Sequence, residues 1–221
     1  MTPICVPRNG PAGFTGKIGT NIGVKNSVLL QQSGFSLVEL LVVVAIGLIL
    51  AGVAVLRFSR AMESAHVNSA VQIAMGQLRM ARQESMDKRL QYIVTFLPPR
   101  TIQTQWIATG IPATTERTIS FTNDVQFSAE PGLPGLGKTP DNFGLGTKAI
   151  DFNQATGGGG TQIFFNPDGT AIDAAGNPND GVVYIAKPGE LYSSHALTLY
   201  GATGRFKGWT LAKNGAIPVW R

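Results

Sequence analysis

One carboxylate in this chain stands where a carboxylate is expensive. From Phe35 to Leu56 run twenty-two residues whose single charged side chain is Glu39. At about 1.5 Å per residue the run makes a helix of roughly 33 Å, enough to cross a hydrocarbon core of about 30 Å. An Asp, Lys or Arg at mid-membrane costs about 2.5 to 3.5 kcal/mol on insertion scales, and a Glu should be comparable. Glu39 therefore asks for a positive partner. Gly34, a small residue at the lip of the run, offers a place to cut the chain before the span. Such a cut would leave Phe35 with a free α-amine four residues from Glu39.

The other residues that could do chemistry form weaker patterns. His66 sits in a helical stretch and His195 beside Ser193 and Ser194, without the partners that would orient a base or activate a nucleophile. No cysteine pair or histidine cluster has metal-ligand spacing. Asp168, Asp173, Asn177 and Asp180 could offer oxygen ligands to calcium, but their spacing is not that of an EF-hand, and turn formation accounts for the same residues. Near the C-terminus Arg205, Lys207, Lys213 and Arg221 are interleaved with Phe206, Trp209 and Trp220, and cations mixed with aromatic side chains can hold a nucleic-acid strand. Arg205 and Lys207 are the candidate contacts in that reading. Core or subunit-interface packing of the tryptophans is the alternative. The expectation is a protein with no enzymatic activity, no cofactor and no metal.

The run Gly34-Phe35-Ser36-Leu37-Val38-Glu39-Leu40-Leu41-Val42 resembles the class III signal of type IV pilins and type II secretion pseudopilins. The resemblance implies cleavage after Gly34 by a prepilin peptidase, methylation of the new N-terminal Phe35, and pairing of Glu39 with the N-terminal amine of a neighbouring subunit. Two opposite charges that cannot reach water are tolerable together, and removing one strands the other. The competing reading is a secretory signal or simple anchor, for which Gly52-Val53-Ala54 offers a small-residue site. The length of the run, the acid inside it and the thirty-four residues ahead of it oppose that reading.

Charge and cysteine fit an exported chain. The formal net charge is +5, but Arg8, Lys17 and Lys25 all precede Gly34, so a chain cut there carries only +2. Global charge then gives no argument for nucleic acid. The one cysteine, Cys5, also lies in the leader, which leaves the remainder to hold its core by burial. The basic residues ahead of the span and Arg57 and Arg60 behind it place the N-terminus, weakly, on the cytoplasmic side of an inner membrane. The leader is long, and Val24 would serve as an alternative start.

Four segments are expected: a leader at 1–34, a transmembrane helix at 35–56, an amphipathic helical stalk at 57–90 and a β-rich head at 91–221. The stalk is read from apolar residues at Val67, Val71, Ala74, Met75, Leu78, Ala81 and Met86, spaced by threes and fours. Gly47 and Gly52 read as ordinary glycines of a membrane helix. From Gln91 the period changes. Strands are expected at 92–97, closed by Pro98-Pro99, and at 103–108, 118–121, 125–128, 149–152, 162–165, 182–186, 196–200 and 206–211. The segments 132–146 and 157–160 read as loops.

The fold class is thus α+β, a long N-terminal helix packed on a mostly antiparallel β head. Ile163-Phe164-Phe165-Asn166-Pro167-Asp168-Gly169-Thr170, Gly181-Val182-Val183-Tyr184-Ile185, Leu197-Thr198-Leu199 and Gly204-Arg205-Phe206 are similar to the C-terminal half of GspH/FimT-like pseudopilins. Gln77 to Ser85 resembles that family's junction of helix and sheet. The resemblance implies a pilin fold and a minor pseudopilin of type II secretion, with a minor type IV pilin as alternative. Its implied partners are other pilins or pseudopilins in a filament, the prepilin peptidase and an inner-membrane assembly platform. A role in DNA uptake stands as the competing class.

Overall fold

The computed structural model describes residues 34–221 apart from Asn123, together with all side chains in that range except those of 55–61 and 63. The expected leader lies outside the described residues up to position 33, and with it Cys5, Arg8, Lys17, Lys25 and the alternative start at Val24. The chain divides into two compact units, Met1–Leu48 and Ile49–Arg221.

Helix α1 runs from Leu37 to Lys88 and belongs to both units. It holds no proline, carries Glu39 in its first turn and Lys88 in its last, and so matches the sign of the backbone dipole at each end. Residues from Gly34 to Ala54 are all exposed. In the larger unit the character of α1 changes. Val67, Ala70, Val71, Ala74, Leu78 and Ala81 are buried at helical spacing, with Ser85 closing the stripe. Met75 packs against the edge of this core.

Two antiparallel sheets receive the stripe. The first has the order β3 (Ile111–Ser120), β2 (Thr101–Ala108), β1 (Gln91–Leu97), β6 (Gln162–Phe165), β7 (Ala171–Ile172). The second has the order β11 (Ile217–Trp220), β10 (Arg205–Asn214), β9 (His195–Tyr200), β8 (Gly181–Ala186), β4 (Gln126–Phe127), and β5 (Ile150–Asp151) also pairs with β8. Tyr92, Val94, Phe96, Ile102, Ile163 and Phe165 from the first sheet meet Val183, Ile185, Leu197 and Leu199 from the second in the same core as the α1 stripe. The partner expected for the amphipathic stalk is thus supplied by both sheets.

Strand β8 shows why the second sheet reads as nearly continuous apolar sequence. Period-two alternation sends Val183 and Ile185 toward α1, and Val182 and Tyr184 into a second core with Ala196, Leu211 and Trp220. That outer face is covered by Ala129, Leu133, Phe143 and Leu191, so the expected loop at 132–146 is a cover with a hydrophobic underside. The expected loop at 157–160 is also present. Asp151 fixes it by accepting the Gly159 N–H at 2.6 Å.

Strand boundaries differ from expectation most in the following elements. Strand β3 begins at Ile111 instead of 118, β10 continues to Asn214, and the chain adds β7 and the edge strand β11. The start of β3 is exposed on both faces and carries Pro112, so neither apolar alternation nor composition marks it. Polar ties hold it instead. Arg117 donates to Gln77 at 3.2 Å and to Glu84 at 3.1 Å, and Lys88 lies 3.0 Å from Glu116. Burial raises the Tyr92 hydroxyl above its usual range against the opposing hydrogen bond from Lys88. The ammonium of Lys88 is itself raised by its bonds to Tyr92 and Glu116.

The junction of stalk and sheets is testable. Leu78 is 1% exposed within the shared core. Leu78→Ala should destabilise the detergent-solubilised chain by about 2 to 5 kcal/mol in urea unfolding. Met80→Ala, on the exposed face of the same helix, should shift it by less than about 0.5 kcal/mol. Equal midpoints for the two variants would contradict the packing.

Candidate functional site

The residues expected to carry assembly lie at the start of α1. Gly34, Phe35 and Ser36 precede the helix, and the Leu40 N–H donates to the Ser36 carbonyl at 3.1 Å as the ladder begins. Phe35 is 80% exposed, and Glu39 lies within the first turn. With Gly34 attached, Phe35 contributes a peptide nitrogen; cleavage would turn it into a cation. Among the described residues Glu39 has no ion-pair partner, and the sequence places no basic side chain between Phe35 and Leu56. Residues Leu37–Ala54 form the one helical window, among the described residues, long and apolar enough to cross a membrane, with a mean hydropathy of 2.8 and none of it buried. Such an apolar surface requires lipid or other helices against it. The helix passes Gly47 and Gly52 without a break.

The structure separates the second candidate pair. Arg205 and Lys207 both lie at the start of β10. Lys207 is committed: its ammonium stands 3.5 Å from Asp141 and 3.5 Å above the centre of the Trp209 ring. Arg205 is exposed and turns to a cleft that it shares with Arg79 and Arg82. The two stalk arginines have no sequence signal that links them to Arg205, since more than 120 residues lie between.

Asp141 organises the region around Lys207. It adopts a left-handed backbone conformation with φ of 51°, which Asp tolerates better than most residues. Its carboxylate accepts from the Thr198 hydroxyl at 2.5 Å and from the Trp209 indole N–H at 3.3 Å. Burial pushes this carboxyl upward, but the bonds from Thr198 and Tyr200 and the charge of Lys207 together hold it below the usual range.

The remaining candidates are absorbed by local structure. His195 donates from Nδ1–H to the Ser193 carbonyl at 2.9 Å, burial holds its imidazole below the usual value, and Ser193 Oγ donates to the Glu190 carbonyl at 2.7 Å. Asp173 accepts from the N–H groups of Ala175 and Asn177, both at 2.9 Å. Asp168 accepts from Thr170, and Asp180 from the Gly201 N–H at 2.7 Å. The bonds of Asp168 and Asp173 are turn roles, and that of Asp180 ties two segments 21 residues apart. Among the described residues no three His, Cys, Asp or Glu side chains come together in a way that could hold a metal ion.

Comparison with known proteins bears on the N-terminal helix. Residues 29–55 match the family described as the prokaryotic N-terminal methylation motif. The matched stretch is a type IV pilin signal, and it spans Gly34, Phe35 and Glu39. Two crystal forms of the type IV minor pilin FimU of Pseudomonas aeruginosa are similar to it in structure. One shares 15% identity with a TM-score of 0.44, over 71% of this chain and 94% of that one. The other shares 14% with a TM-score of 0.42, over 68% and 95%. No curated protein matches the chain.

The Asp141 cluster gives a pH-dependent stability of known sign. A carboxyl held low in the folded chain contributes stability that is present above its unfolded value, near 3.8, and lost as pH falls through the folded value. Unfolding midpoints of the wild type should therefore drop below about pH 4. Asp141→Asn keeps the left-handed backbone preference but removes the charge, and should be destabilised at pH 7 with a flatter acid limb. An unchanged acid limb in the variant would contradict the assignment.

Proposed function

We propose that this chain is a minor pseudopilin, a non-enzymatic structural subunit of a type II secretion pseudopilus of the GspH/FimT-like kind. The observation that carries the reading is the pairing, within a prepilin-type motif, of a glycine at the lip of an apolar helix with one uncompensated carboxylate five residues after it. In this reading residues 1–34 are the leader, 35–56 the span, 57–90 the stalk and 91–221 the head. The prepilin peptidase cuts between Gly34 and Phe35, and Phe35 is methylated on its new amine.

The span then holds the subunit in the inner membrane with the head on the extracytoplasmic side, where an assembly platform draws it into the filament. Glu39 neutralises the Phe35 amine of a neighbouring subunit while the apolar helices pack together. Leaving either charge alone in that environment would cost several kcal/mol, about 3 to 5 for a broken buried pair. A minor type IV pilin would use the same motif. The two machines separate on phenotype: loss of protein secretion with pili intact in a deletion strain supports the pseudopilus, and loss of pili with secretion intact supports the pilus.

Glu39→Ala tests the pairing. It removes a charge that membrane insertion does not need, so membrane levels should match the wild type while recovery in sheared filaments falls at least tenfold. Wild-type recovery of Glu39→Ala in filaments would overturn the pairing.

A further inference from the structure

Three arginines converge on one open cleft of about 420 Å³ in the larger unit. Arg79 and Arg82 come from α1 and Arg205 from the start of β10, with Gln83, Thr203, Gly204 and Phe206 completing the walls. The cleft is held in shape by Arg82, whose Nε donates to the Gly169 carbonyl at 2.9 Å and whose Nη2 donates to the Thr203 carbonyl at 3.1 Å. Gly169 and Gly204 both adopt positive φ, and a Cβ on Gly204 would strike the Gly169 carbonyl oxygen. The two turns approach closely because Gly204 lacks a side chain, and Gly169 leaves room for Met86 and Arg82 of α1.

The charges in this cleft are not balanced. Lys88, Arg117, Lys187 and Lys207 each have a carboxylate within 4 Å, at Glu116, Glu84, Glu190 and Asp141. Among the described residues neither Arg79 nor Arg205 has an ion-pair partner, and no acid lines the cleft. Guanidinium groups brought together without a counter-charge repel, and an anion between them removes that repulsion.

The surroundings indicate which anion. A nucleic-acid strand needs a run of free cations and exposed rings on which bases stack. Here the next cation along β10, Lys207, is held by Asp141 and Trp209, and Phe206 is half-buried with its ring 5.8 Å from that of Phe165. The site is a point, with arginine forks suited to one carboxylate. We propose that the cleft of Arg79, Arg82 and Arg205 receives an acidic side chain from the head of a neighbouring filament subunit. The proposal rests on the filament reading above.

The test is Arg79→Glu/Arg205→Glu in the full chain, expressed with its partner subunits. Both residues are exposed, so the variant should insert in the membrane and unfold thermally as the wild type does, while its recovery in sheared filaments falls at least tenfold. Arg79→Lys/Arg205→Lys keeps the charge but loses the forks, and should fall between the two. Wild-type recovery of the Glu variant overturns the cleft proposal, and does so equally if that variant has instead lost retention of DNA at low salt. Absence of the wild type itself from filaments overturns the filament reading and the cleft proposal with it. Presence of the wild type with equal presence of the Glu variant overturns the cleft alone.

Discussion

A carboxylate in an apolar helix with no cation of its own is the constraint from which the rest of the account follows. Glu39 stands in the first turn of α1 and is followed by residues that stay exposed as far as Ala54. The helix dipole favours a negative charge at this end, but by only about 0.3 to 1 kcal/mol, well short of the insertion cost. The chain supplies no basic side chain between Phe35 and Leu56. Compensation has to come from outside that stretch, and cutting beside Gly34 creates a cation at Phe35.

The same helix serves two environments in succession. Its first part presents apolar side chains all round, as expected for a segment in contact with lipid or with other apolar helices. Its later part buries one stripe, from Val67 to Ser85, and leaves Arg79 and Met80 exposed. Both sheets close on that stripe, so the head's main core is built around its own stalk. The second sheet needs a further cover because β8 is apolar on both faces, and the segment carrying Leu133 and Phe143 provides it.

Much of this was legible in the sequence, for reasons specific to each element. The apolar run and the stalk stripe are long periodic signals, and α1 ends at Lys88, two residues short of the expected stalk end at 90. Strands β6, β8 and β9 were legible because their apolar residues are dense and their ends are marked by Gly, Pro or Asn. The first half of β3 was not, because its residues are exposed and its place depends on Arg117 and Glu116 reaching Gln77, Glu84 and Lys88. Strand β11 was hidden by Pro218, which fits an edge strand and argues against a central one. Sequence spacing brought Arg205 and Lys207 together as one candidate pair. Folding commits Lys207 to Asp141 and Trp209 and sets Arg205 beside two arginines of the stalk, a grouping that no local pattern carries.

The central claim is that the working N-terminus is a cation at Phe35. Mass spectrometry of the N-terminal peptide from membrane-extracted protein, with and without an active prepilin peptidase, addresses it most directly. The account predicts an N-methylated Phe35 that disappears with the peptidase. An N-terminus near Val55, unaffected by the peptidase, would contradict it, since Glu39 would then have been removed with the segment in which it lies.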